Sequence, residues 1–131
     1  MPMTRSGLLL AAPLLAFGMA AASSARAQDV EAGKRVFNQC RACHTIEANG
    51  RNGVGPNLHG IVGRKAASVS GFNYSPAMKQ KGEEGFVWTE DHLRAYIANP
   101  KEAVPGNRMT YPGLRNEQQM NDLIAYLKSQ G

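Results

Sequence analysis

From residue 28 onward the apolar positions recur at helical spacing in short stretches, separated by glycine- and proline-bearing segments and without strand-like alternation. Asp29 caps a predicted first helix in which Val30, Gly33, Phe37 and Cys40 fall on one face. From Asn49 to Gly63 the chain reads as a long loop, punctuated by Gly50, Gly53, Gly55, Pro56, Gly60 and Gly63. Ser75 and Pro76 then supply the cap and first turn of a short helix running to Gly82. Thr89 caps another helix, favoured at its positive end by Glu90 and Asp91. Its buried stripe is Leu93, Tyr96 and Ile97, and it stops where Asn99 meets Pro100. After a second loop, Asn116 opens a final helix with Met120, Leu123, Ile124 and Leu127 on one face. Its expected partner is the first helix, approached closely across Gly33. The pattern predicts an all-α fold of about four to five helices joined by long loops, with no internal repeat.

The first residues follow a different pattern. Arg5 precedes an apolar stretch from Leu8 to Ala22, and Ala25-Arg26-Ala27 supplies the small-x-small cleavage signal of an exported leader. The stretch contains Pro13 and falls short of the ~20 residues of a spanning helix, so a stable membrane anchor is not expected. The organisation read here is a cleaved secretory signal peptide over 1–27, cut between Ala27 and Gln28, and one domain over 28–131 in the periplasm. That length suits a small domain, and its modest aromatic content limits its apolar core.

Charge narrows the class of partner. Fifteen Lys and Arg stand against ten Asp and Glu; without Arg5 and Arg26 the balance is thirteen against ten, a formal +3. No Lys/Arg-rich run or nucleic-acid motif accompanies it, so a weakly basic face for an acidic protein partner fits better than nucleic acid.

The chain's two cysteines stand in Cys40-Arg41-Ala42-Cys43-His44, a C-x-x-C-H run that reads as covalent attachment of one c-type haem. Each sulfur would join one vinyl group, and His44 would lie beneath the iron. A thioredoxin-like dithiol expects a preceding strand, which the pattern lacks. A zinc site needs more ligands than the scattered His59 and His92 provide, and a disulfide across two residues would staple almost nothing. A haem would also supply missing core, so the haem-free protein is expected to fold poorly.

The second axial ligand decides what the iron does. Met78, Met109, Met120, His59 and His92 are the candidates. Met120 sits on an apolar helical stripe and Met78 in a short helix, where packing explains both. His59 and His92 read as packing or surface residues. Met109 stands off any stripe, in Pro105-Gly106-Asn107-Arg108-Met109-Thr110-Tyr111-Pro112-Gly113, and is the best of the five.

Taken in order, Cys40 to His44, Gly55-Pro56-Asn57-Leu58-His59-Gly60, Gly71-Phe72-Asn73-Tyr74, Trp88 and Met109 resemble the class I c-type cytochromes, the small cytochromes c of bacteria and mitochondria. The resemblance runs from about Gly33 to Leu127 and implies the cytochrome c fold wrapped around a haem held by Cys40 and Cys43. It implies His44 and Met109 as iron ligands, the Pro56 carbonyl as acceptor from His44, Arg64, Tyr74 and Trp88 as propionate contacts, and Tyr96 near the axial methionine. From pattern alone Trp88 reads equally well as a core aromatic and Arg64 as solvated charge.

Several positions depart from the mitochondrial pattern. One residue fewer separates Gly33 from Cys40, and the Gly82-Glu83-Glu84-Gly85 region is longer, which suggests a bacterial branch. Asn107 replaces a threonine that helps hold a propionate, and Tyr111 replaces a phenylalanine at the haem edge. The implied function is soluble, non-enzymatic electron transfer by a monomer. Its partners would be a quinol-cytochrome c oxidoreductase, an oxidase, a reaction centre or a dehydrogenase with an acidic docking face. Lys101, Arg108 and Arg115 are the candidate basic contacts. The alternative is an open-site haem peroxidase or small-ligand sensor.

Overall fold

The computed structural model describes residues 28–131 together with 3, 7, 9–14 and 18. The leader expected over 1–27 therefore lies largely outside the described residues. Five helices occur among those described: α1 (Val30–Phe37), α2 (Pro76–Glu83), α3 (Glu90–Ala98), α4 (Pro100–Ala103) and α5 (Glu117–Ser129). No described helix is long and apolar enough to cross a membrane.

Each helix starts on a side-chain cap that satisfies an otherwise orphaned backbone N–H. Asp29 accepts from Ala32, Ser75 from Met78, Thr89 from His92, Asn99 from Glu102 and Asn116 from Gln119. The one-turn α4 was not expected. Asn99 ends α3 and simultaneously caps α4, with Pro100 at the first helical position, so the chain changes direction at the one non-helical residue between them.

α1 and α5 form the main seam, and the contact is backbone-close at Gly33. A methyl group there would overlap the Asp122 carbonyl and come within 2.8 Å of Tyr126 Cβ. Phe37 packs on Tyr126 with ring centroids 5.4 Å apart, and the Asp122 carboxylate accepts from the Asp29 backbone N–H at 3.0 Å. Two expectations are corrected at this seam. Val30 is exposed rather than buried, and α1 ends at Phe37, leaving Cys40 in the succession of turns that follows. α5 is buried on more than the one face read from its periodicity: every residue from Asp122 to Leu127 is covered.

The core joins α5 to loop residues as much as to helices: Ile46, Ile61, Ala66, Trp88, Val104 and Leu114 are buried with Met78, Met120 and Leu123. Gly82 brings α2 against the loop, where an added methyl would sit 2.6 Å from the Ala66 carbonyl. A short antiparallel bridge, Lys65 with Val87, ties the two loops together. Around it the Gly63, Ala66 and Trp88 N–H groups donate to Trp88, Phe86 and Arg64 carbonyls at 2.8 Å. Arg64 and Trp88 are thereby neighbours along the main chain.

Candidate metal centre

The turns after α1 bring both thiols and an imidazole onto one helical turn. The Cys43 and His44 N–H groups both donate to the Cys40 carbonyl, at 3.1 and 2.9 Å. Both cysteines are free and partly buried. Burial, with Cys43 close by, pushes the Cys40 thiol up to about 11, so that sulfur is a poor spontaneous nucleophile in this setting.

His44 is held from two sides by the glycine-rich loop. Its Nδ1 lies 2.7 Å from the Pro56 carbonyl. A carbonyl can only accept, so Nδ1 carries the proton and Nε2 keeps its lone pair for a metal. Burial moves the imidazole below its ordinary range, which favours the neutral, ligating form; the Pro56 carbonyl works against this and the Arg64 charge with it. Gly55 lies flat against the ring: a methyl there would overlap His44 Cε1 and stand 2.7 Å from Nδ1. The loop is fixed in turn by Gly55 N–H to the Cys43 carbonyl at 2.8 Å and Leu58 N–H to the Thr45 carbonyl at 2.8 Å.

Asn57, which carried no separate role in the sequence reading, is the staple of this loop. Its buried amide donates to Thr45 Oγ1 at 2.8 Å and the Glu47 carbonyl at 3.0 Å, and its Oδ1 accepts from His59 N–H at 2.9 Å. His59 is engaged elsewhere, with Nδ1 3.1 Å from the Ile46 carbonyl. His92 lies 2.6 Å from the Val87 carbonyl and stacks on Phe86.

Arg64 closes the same region with one unmet donor. Nη1 and Nη2 donate to the His59 and Asn57 carbonyls at 3.0 Å each, while the buried Nε has no partner. Burial lowers its pKa, and nearby Tyr74 counters that. Tyr74 Oη accepts from Val69 N–H at 3.0 Å. Trp88, 6% exposed, packs on Tyr96 with centroids 5.0 Å apart. Burial pushes the Tyr96 phenol up to about 12. A buried guanidinium N–H without a partner calls for an acceptor, and its charge favours an anionic one.

Met109 is half-buried, whereas Met78 and Met120 belong to the core. Its backbone N–H donates to Asn107 Oδ1 at 2.8 Å. Two residues on, Tyr111 donates to Gln39 Oε1 at 2.9 Å. Burial raises the Tyr111 phenol, with a smaller contribution from Cys40. Tyr111 thus links the methionine loop to the cysteine turn. The Asn107 amide donates to the main-chain carbonyls of Pro100, which opens α4, and Val104, which follows it.

Two thiols one turn from a neutral imidazole, a glycine flattened against that ring and an unmet guanidinium donor fit a haem with acidic side chains. Comparison with known proteins points the same way. The family model described as Cytochrome c matches residues 30–131. The chain is similar to cytochrome c2 of Blastochloris viridis, 43% identical over 118 residues that cover 87% of this chain and 91% of that one. It is also similar to cytochrome c of Gibberella zeae, 48% identical over 101 residues covering 76% and 92%. Among solved structures, cytochrome cH from Methylobacterium extorquens superposes with a TM-score of 0.69 at 41% identity, covering 77% of this chain and 98% of that one.

Proposed function

The chain belongs to the cytochrome c family, and on that premise we propose that it is a soluble periplasmic carrier with His44 and Met109 as its iron ligands. As a member of that family it carries one covalently bound haem c and transfers electrons; it is not an enzyme. The bound group supplies reversible one-electron exchange between ferric and ferrous iron, at a potential that Met/His ligation raises.

The chain's own residues hold and tune that group. Cys40 and Cys43 tether it through thioethers. His44 presents Nε2 because Nδ1 is committed to Pro56, and Gly55 fixes the plane of the ring. Arg64 Nε–H is the donor for a propionate, with Tyr74 and Trp88 grouped beside it. Burial by Trp88 and Tyr96 excludes water and disfavours the additional positive charge of the ferric state. Arg64 offsets the propionate charge. Met109 would supply the second ligand.

This reading rests on the His44 geometry, which leaves one nitrogen lone pair free beside two thiols, and carbon monoxide tests its completion by Met109. The reduced holoprotein should bind it poorly and Met109→Ala readily. Ready binding by the unaltered protein would instead support an open-site peroxidase or ligand sensor.

In this account residues 1–27 are an export leader removed between Ala27 and Gln28, as the apolar stretch and small-x-small signal suggest. The partners are redox complexes with acidic faces: a quinol-oxidising complex as donor, and an oxidase, reaction centre or dehydrogenase. Lys101, Arg108 and Arg115 are exposed and flank the methionine loop. Electron-transfer rates should therefore fall as added salt shortens the Debye length toward ~8 Å; salt-independent rates would remove the basic docking face.

A further inference from the structure

The loop that carries Met109 is tied to the rest of the fold by side chains, and a single one of them, Asn107, holds its backbone. Among the described residues, no main-chain to main-chain hydrogen bond involves residues 108–113. The hydrogen bond made by that strip's backbone is the one from Met109 N–H to Asn107 Oδ1, at 2.8 Å. The other polar links come from side chains: Tyr111 to Gln39 at 2.9 Å and Arg108 to the Asn73 carbonyl at a long 3.4 Å.

Asn107 spends its whole amide on this task. Nδ2 donates to the Pro100 and Val104 carbonyls, both at 2.8 Å, and the residue's own N–H donates to Val104 at 3.1 Å. The amide orientation is unambiguous, because exchanging Oδ1 and Nδ2 would face an oxygen with two carbonyls and a donor with an N–H. Pro100 and Val104 are buried, so both acceptors belong to the core. Gly106, in the left-handed region at φ +85°, turns the chain back so that the amide reaches α4.

We propose that Asn107 is the positioning residue for the Met109 sulfur, clamping the ligand-bearing backbone to the buried Pro100 and Val104 carbonyls and thereby setting how readily the sulfur leaves the iron. The inference rests on Met109 being the second axial ligand. A neutral amide suits this role because it offers two donors and one acceptor in one plane. Alanine offers none of them, and the serine side chain is too short to engage both carbonyls and the Met109 N–H.

The test uses ferric holoprotein and free imidazole as the competing ligand. Imidazole entry is followed through loss of the long-wavelength band that methionine sulfur gives ferric haem. Asn107→Ala should accelerate entry at least about tenfold, since each hydrogen bond accounts for roughly a fivefold factor in an equilibrium. Asn107→Ser should fall between Ala and the parent. Ile124→Val, a change in the buried face of α5, lowers global stability without touching the loop and sets the rate expected from destabilisation alone. If the parent lacks the methionine band, the axial assignment fails and this inference fails with it. If the band is present but whichever Asn107 variant yields holoprotein exchanges no faster than Ile124→Val, Met109 stands and the clamp is overturned.

Discussion

The two segments assigned to the iron, around His44 and around Met109, are built on opposite principles. The His44 side is rigid through its main chain: successive turns carry the thiols, and backbone bonds from Gly55 and Leu58 tie the opposing loop to Cys43 and Thr45. The Met109 side has no such lattice over residues 108–113 and depends on Asn107, Tyr111 and Arg108 side chains. Main-chain bonding survives most substitutions, whereas side-chain bonding changes with each one. The first side therefore governs assembly around the group, and the second how readily its ligand exchanges.

The largest effect that divides them is on cofactor retention. Replacing Cys40 and Cys43 together by alanine should leave no haem on the chain in a denaturing gel, while Met109→Ala should keep it fully attached. Loss of covalent haem in Met109→Ala would break the division. Next, Gly55→Ala places a methyl in the His44 ring and should cost about 1–3 kcal/mol of holoprotein stability by denaturant unfolding. A neutral outcome would mean that the ring can tilt, and that the His44 side is less rigid than its bonding implies.

Arg64→Gln sharpens the contrast further, because it removes a positive charge on the His44 side without touching a ligand. The potential should fall by some tens of mV, given about 59 mV per tenfold shift in a one-electron equilibrium. An unchanged potential would dissociate Arg64 from the propionates. The smallest expected effect is in pH dependence. Tyr96 ionises near 10 in the unfolded chain and at about 12 when buried, so the folded protein holds that proton more tightly. Its contribution is complete below pH 10 and lost as pH rises through 12. Tyr96→Phe should flatten the fall of the thermal midpoint in that window, and an equally steep fall would assign the loss to another group.

The sequence made these two sides unequally legible. Cys40, Cys43 and His44 lie within one turn, so their chemistry could be read from spacing alone, and α1, α2, α3 and α5 announced themselves by caps and apolar periodicity. α4 is not legible in the same way: one turn is too short for periodicity, and Asn99-Pro100 reads as a stop although it is also a start. The full burial of α5 escaped because loop residues such as Ile46 and Val104 complete its surroundings, and loops have no period. Asn57 and Asn107 escaped for a related reason. Their value lies in which carbonyls and N–H groups the folded backbone brings within reach of an amide, and composition is silent on that.

The seam at Gly33 has a consequence for how the molecule is made. The bond from Asp29 to Asp122 spans 93 positions, so the partner surface of α1 is synthesised long after α1 itself. Until α5 emerges, Phe37 lacks the Tyr126 ring it packs on, and the entropy of closing so long a loop delays the pairing. Cys40 and Cys43 follow α1 immediately and share that interval. The two thiols therefore stand in an open segment until the last helix seals the seam behind them.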